Sequence, residues 1–263
     1  MEYIKMTKKY ICCCSGGKDS TTMFLKILEL KKPLDLVVIC DIKEEMDFLK
    51  HNQYKIKEIC DKNGIECVLL NKGQYINKKG ELVKYPCSFE YILFNHMKKF
   101  PIFNCRWCTD WLKVKPMREF MKSRFGKNKD AYYQYVGFAY DEIERTQMKA
   151  KIGTPSKNWL YPLIDLKLTE KDCYEIALKH GFKFDTRFER SGCWCCPLMS
   201  QDSVSKTIKY YPEKWAKIKE WEKKIGHKWK YNSTSRKGGC EYFEKKSKDN
   251  QMYIIDKDEN NIS

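Results

Sequence analysis

Short apolar runs alternate with longer amphipathic ones through the first half of the chain, the pattern of a parallel sheet covered by helices. Tyr10–Cys14 reads as a first strand, Asp19–Leu30 as a helix, Leu34–Asp41 as a second strand, Glu44–Asn63 as a helix and Glu66–Leu70 as a third strand. A less regular middle follows, in which Pro86, Pro101 and Pro116 punctuate aromatic and basic segments. Tyr132–Tyr140 predicts another strand, and Asp141–Lys151 a helix. Thr169 is placed to cap a helix running to His180, with Gly181 as its stop. Gln201–Lys224 reads as helical, basic and aromatic, and from Lys245 onward the chain is charged and poor in apolar residues, as a loosely held tail is. The expected organisation is an α/β nucleotide-binding domain over 1–190, a cysteine motif with a basic helical region over 191–244, and a charged tail over 245–263.

Composition narrows the picture. With 263 residues and 42% hydrophobic content the chain can bury one sizeable core, or one core with a small appendage. It has no apolar run of about 18 residues, and Met1–Lys9 is polar and basic, so no membrane partner and a cytoplasmic location are expected. The 14 cysteines sit in a long, lysine-rich chain, where reduced thiols and metal ligation fit better than a disulfide scaffold. A formal net charge of +16 suits a polyanionic partner, and equally a solvated lysine-rich surface.

The segment Ser15-Gly16-Gly17-Lys18-Asp19-Ser20 lies between the first strand and the first helix, so backbone amides and a helix N-terminus can meet one anion. The glycines permit close approach and positive φ, Lys18 adds a point charge, and Ser15 and Ser20 add hydroxyls. Asp19 can cap the helix or help hold Mg²⁺. The G-x-x-x-x-G-K-[ST] spacing of ordinary kinases and GTPases is absent.

Cys105-Arg-Trp-Cys108 and Cys193-Trp-Cys-Cys196 are two C-x-x-C pairs about 85 residues apart. Two such pairs make a tetrahedral four-sulfur site for Zn²⁺ or a [4Fe–4S] cluster, which use the same thiolates. A redox-active dithiol and buried structural thiols are the alternatives, and Cys195 leaves an ambiguity of register. Cys12, Cys13, Cys14, Cys40, Cys60, Cys67, Cys87 and Cys173 read as packing residues. Cys240, flanked by glycine and lysine, is a candidate mobile, partly ionised catalytic thiol.

The loop closely resembles the S-G-G-x-D-S loop of ATP pyrophosphatases, which cleave ATP between the α and β phosphates. Cys108-Thr-Asp-Trp-Leu-Lys-Val-Lys-Pro116, Gly137-Phe-Ala-Tyr-Asp-Glu-Ile-Glu-Arg145, Trp159-Leu-Tyr-Pro-Leu-Ile-Asp165 and Gly192-Cys-Trp-Cys-Cys-Pro197 resemble segments of the phosphoadenosine phosphosulfate reductase-like branch. That resemblance covers residues 10–225. It implies a parallel five-stranded sheet flanked by helices, with an adenosine nucleotide (ATP, or a sulfated adenosine nucleotide) at the carboxyl strand edge. It also implies Lys113 and Arg145 as cations near phosphate or sulfate, and Asp141 and Glu142 as an acidic pair opening a helix. The plain alternatives are a solvated charge for Lys113 and an intrahelical pair with Asp141 for Arg145. The E-C-G-[IL]-H ending of sulfonucleotide reductases is missing.

The family's other members resemble ATP-dependent sulfurtransferases acting on nucleic acids. The expected function is therefore an AMP- and pyrophosphate-forming sulfurtransferase or adenylating enzyme with a nucleic-acid or related acceptor and a sulfur-donor protein. A sulfonucleotide reductase using Cys240 and a non-catalytic, metal-stapled nucleic-acid-binding module are the alternatives. Tyr210–Trp221 interleaves aromatic and basic residues as a phosphate-backbone surface does, yet Trp215, Ile218 and Trp221 also recur at the spacing of a core-facing stripe.

Overall fold

The computed structural model describes residues 8–76, 80–102, 104–126, 128–144, 158–188, 192–230 and 237–248. Five parallel strands, β1 (Lys9–Cys13), β2 (Leu36–Cys40), β3 (Glu66–Leu70), β6 (Tyr132–Tyr135) and β7 (Trp159–Leu160), form one sheet in the order β3-β2-β1-β6-β7. Parallel neighbours require crossovers, which α1 (Lys18–Glu29) and α2 (Asp47–Lys62) supply between the first three strands. Leu36-Val-Val-Ile39 of β2 is buried throughout, as a strand covered on both faces must be.

Strand alternation sends Cys12, Val37 and Ile39 to one face, against Met23, Phe24 and Ile27 of α1 and Ile56 and Cys60 of α2. Ile11, Leu36 and Val38 go to the other, under Met121. Helices α3 (Phe89–Ile92) and α4 (Trp107–Thr109) are short and run on into π-turns, Leu93–Met97 and Asp110–Val114, the second leading directly into α5 (Lys115–Phe125). Helices α6 (Pro162–Asp165) and α7 (Glu170–Lys179) follow, the latter with Thr169 and Asp172 in a capping box. Beyond them lie α8 (Gln201–Tyr210) and α9 (Pro212–Ile225). A third, aromatic core joins Phe89 and Trp107 to Trp194, Trp215, Trp221 and Trp229, so the C-terminal part shares its interior with the middle of the chain.

Several boundaries differ from the sequence expectation. The strand expected to reach Tyr140 ends at Tyr135, because the chain leaves the sheet to pair Tyr140 N with Leu168 O (2.7 Å). Residues 72–86, expected to be irregular, form an antiparallel hairpin of β4 (Lys72–Ile76) and β5 (Leu82–Pro86). The second helix starts at Asp47 rather than Glu44, since Glu44 caps α3 instead, accepting from Ser88 Oγ and Phe89 N at 2.7 Å each. The basic helical stretch is two helices, because Tyr211 adopts φ −136° and Pro212 opens the second. Residues 240–248 are helical, past the expected start of the tail, with Ser247 buried. The helix expected over 141–151 lies mostly outside the described residues; Tyr140–Glu142 is a 3₁₀ turn. Among the described residues no helix is long and apolar enough to cross a membrane.

Candidate nucleotide and thiol site

Only four residues separate β1 from α1. Gly16 turns there with φ +80°, where a Cβ would meet the Leu49 carbonyl oxygen at 2.9 Å. Glycine alone fits that backbone and that approach. Gly17 precedes α1 with no side-chain cap, which leaves the first-turn amides facing the loop. The two serine hydroxyls occupy its concave side: Ser15 N donates to Ser20 Oγ (3.1 Å), the hydroxyls lie 3.1 Å apart, and Gly17 N donates to Ser15 Oγ (3.4 Å). Gly137 passes so close that a Cβ would sit 3.2 Å from the Ser20 backbone, which brings the end of β6 over the start of α1.

Around the loop the charges are mostly acidic. Lys18 Nζ is bonded to Glu170 at the start of α7, and Asp141 accepts the Glu170 amide through both oxygens (3.2 Å). Burial pushes the Asp19 carboxyl up to about 6; Lys18 opposes this, while Glu170, Glu142 and Asp141 add to it. Asp19 Oδ1 is buried without a hydrogen-bond partner, as an oxygen reserved for a cation would be. Arg145 lies outside the described residues.

A cavity of about 930 Å³ opens beside Ser15 across the second sheet face, lined among others by Cys13, Val38, Cys40, Met121 and Trp159. Burial pushes the Cys13 thiol up to about 12 and Cys40 to about 11, so both are protonated at neutral pH. Lys113, at the cavity edge, lies 3.5 Å from Glu45 Oε1; Glu45 is 2% exposed and burial raises its carboxyl above the usual range. Gln53 Nε2 joins Glu45 Oε2 (2.6 Å) to Ser15 O (3.0 Å). Glu45 in turn forms an antiparallel bridge with Cys193, and Met46 N donates to Gly192 O (3.2 Å). The loop of residues 15–20 and the second cysteine pair are thus connected through Glu45, whose carboxylate meets Gln53 and whose backbone bridges Cys193.

Cys108, Cys193 and Cys196 lie near enough to influence one another electrostatically, and burial raises the thiols of Cys108 and Cys193. Cys195 turns into the aromatic core, its carbonyl bonded by Trp229 Nε1 (3.0 Å). Cys105 is exposed, in a bridge with Ile102. In kind, these thiols are the donor set of zinc and of iron–sulfur clusters. Among the described residues, no three His, Cys, Asp or Glu side chains stand in a coordination sphere as placed.

Cys240 is 2% exposed, beside Trp229 and Phe243, and burial, with Glu222 next to it, holds its thiol well above the ordinary range. It is a packed, protonated side chain, not the mobile, partly ionised thiol expected. Trp215, Ile218 and Trp221 are buried as a core stripe. On the outer side of α9, Lys214, Lys217, Lys219 and Lys224 pair with Asp47, Glu90, Glu244 and Glu220.

Sequence reasoning missed Glu45, Asn52, Gln53 and Glu170. A signal existed for two of them: the buried face of α2 reads Leu49, Asn52, Gln53, Ile56, Cys60, so two amides fill positions where the helical period calls for apolar side chains.

No protein-family model matches the chain. Two uncharacterized proteins of Methanocaldococcus jannaschii are similar to it. MJ0066 is 26% identical over 84% of this chain and 42% of its own length, and MJ0973 is 24% identical over 81% and 47%. The chain therefore spans less than half the length of these relatives. A solved structure, the U34-tRNA thiolase NcsA from Methanococcus maripaludis with its [4Fe-4S] cluster, superposes with a TM-score of 0.41 and 15% identity over 85% of this chain and 73% of that one. A likeness that slight carries no weight for function.

Proposed function

We propose that this chain binds ATP through Ser15–Ser20 and acts as an AMP- and pyrophosphate-forming sulfurtransferase or adenylating enzyme on a nucleic acid or related acceptor. The observation that carries the reading is the glycine-built, uncapped start of α1, preceded by a loop that borders the large cavity at Ser15. The loop amides and Lys18 would hold the β and γ phosphates, and the cavity would take the nucleoside. An acceptor oxygen attacks the α-phosphorus, the bridging bond to the β-phosphate breaks, and pyrophosphate leaves into the loop. A sulfur nucleophile, delivered by a donor protein, then attacks the activated carbon and AMP departs. Lys113, which lines the cavity, would stabilise charge on the α-phosphate.

Asp19 Oδ1, which has no hydrogen-bond partner and lies 4.0 Å from Lys18 Nζ, fits Mg²⁺, which when bound would neutralise the departing pyrophosphate. Cys105, Cys108, Cys193 and Cys196 would hold zinc, as a staple, or an iron–sulfur cluster, which handles sulfur. The buried Cys240 offers no nucleophile to a sulfonucleotide reductase.

Calorimetric titration with ATP and with pyrophosphate tests the binding step. Wild type binds both, and Lys18→Ala loses about tenfold or more in affinity for each. A wild type that binds neither ligand contradicts the reading.

A further inference from the structure

Two adjacent side chains of α2 are buried amides aimed at the phosphate loop. Asn52, 0% exposed, donates from Nδ2 to Gly16 O (3.0 Å) and Lys183 O (2.8 Å), and its Oδ1 accepts from Lys183 N (2.9 Å). Gln53, 1% exposed, donates from Nε2 to Ser15 O (3.0 Å) and to Glu45 Oε2 (2.6 Å). Two successive loop carbonyls are therefore pinned toward α2 by side chains that touch no ligand site themselves.

We infer that Asn52 and Gln53 are positioning residues that set the phosphate loop in its anion-binding form before any anion arrives. In a trans peptide the carbonyl and the following amide point in opposite directions. Holding Gly16 O against Asn52 thus turns the Gly17 amide to the concave side, where it meets the Ser15 hydroxyl. Holding Ser15 O against Gln53 fixes the peptide at the root of the loop. Gly16, at φ +80°, has wide conformational freedom, so without these two bonds the loop would sample many forms and each anion would have to order it. Burying two amides at core positions of a helix is costly unless they are bonded, and here the Nε2 and Nδ2 bonds go to the loop. Asn52 aims an anion-facing amide directly; Gln53 acts one peptide further back. The larger effect therefore belongs to Asn52.

The inference rests on the loop being a phosphate site, and one experiment separates the two. Titrate wild type, Asn52→Leu, Asn52→Asp and Gln53→Met with inorganic pyrophosphate and, separately, with adenosine, well below each melting temperature. Pyrophosphate affinity falls about tenfold in the Asn52 variants and about threefold in Gln53→Met, while adenosine affinity is unchanged. Asn52→Asp keeps the size and the bond from Lys183 N, so it decides the matter if Asn52→Leu does not fold. Equal losses for adenosine and pyrophosphate, or no loss in folded Asn52→Asp and Gln53→Met, overturn the inference. A wild type that fails to bind pyrophosphate removes the phosphate-site reading itself, and the inference with it.

Discussion

Lys18 Nζ is bonded to the carboxylate of Glu170, a residue 152 positions further along the chain. The cation of the Ser15–Ser20 loop is thus already engaged by the first residue of α7, whose amide is held by Asp141. An incoming anion competes with Glu170 for Lys18. Because Glu170 is 44% exposed, the pair is screened and the competition is modest. Glu170→Ala should tighten Mg²⁺-free pyrophosphate binding about two- to fivefold. Calorimetry without metal checks this; weaker binding in the variant would show Glu170 to be part of the anion site.

Asp19 gives the folded protein a pH dependence. Its carboxyl rises from the ordinary 3.8 to about 6 on folding, chiefly through burial. The folded state therefore holds the proton more tightly than the unfolded chain, and this group makes stability fall as pH rises from about 4 to about 6. The full shift is worth at most about 3 kcal/mol, and screening of the partly exposed side chain leaves about 1–2 kcal/mol. Asp19→Asn should be more stable than wild type by that amount at pH 7, equal to it near pH 4, and weaker in Mg²⁺-dependent ATP binding. Urea unfolding at the two pH values measures the first part; identical differences at both would contradict it.

The alternation of strands and helices in the first 70 residues, and the place of the glycine-rich turn between β1 and α1, were legible because parallel strands covered on both faces are apolar runs and Ser15–Ser20 is a local motif. The hairpin of Lys72–Pro86 was not, since its strands lie outside the main sheet and carry few apolar residues. Nor was the role of Glu45, which depends on a bridge to Cys193 that no local pattern encodes. Asn52 and Gln53 stood in plain view as polar interruptions of an apolar stripe, but what they bond to is a tertiary fact. Trp215 and Trp221 were legible in the other sense: beside the aromatic and basic interleaving of a nucleic-acid surface, their spacing with Ile218 gave a core-facing stripe, and burial assigns both rings to the core.

Trp221 is fully buried, stacked on Phe89 at 5.7 Å and bonded through Nε1 to Glu90 Oε1 (2.8 Å). Trp221→Ala should cost about 3–5 kcal/mol of stability. Denaturant unfolding reads it out, and a loss under 1 kcal/mol would contradict the packing described.

The thiols differ sharply in access. Alkylation of the folded, metal-free protein with iodoacetamide should modify exposed Cys105 first and leave Cys240 and Cys195 untouched until unfolding. Peptide mass spectrometry follows the order. Anaerobically purified protein should carry iron or zinc, lost in Cys108→Ala and in Cys196→Ala; wild-type protein without either metal would leave these cysteines as structural thiols.

Cleavage of ATP between its α and β phosphates at the loop of Ser15–Ser20 is the reaction proposed for this chain. Its most direct test is the identity of the products formed from ATP and Mg²⁺ in the presence of a cellular RNA fraction. AMP and pyrophosphate should form in wild type, in amounts that depend on the RNA, and neither in Lys18→Ala. Release of ADP and orthophosphate, or turnover that survives Lys18→Ala, would contradict it.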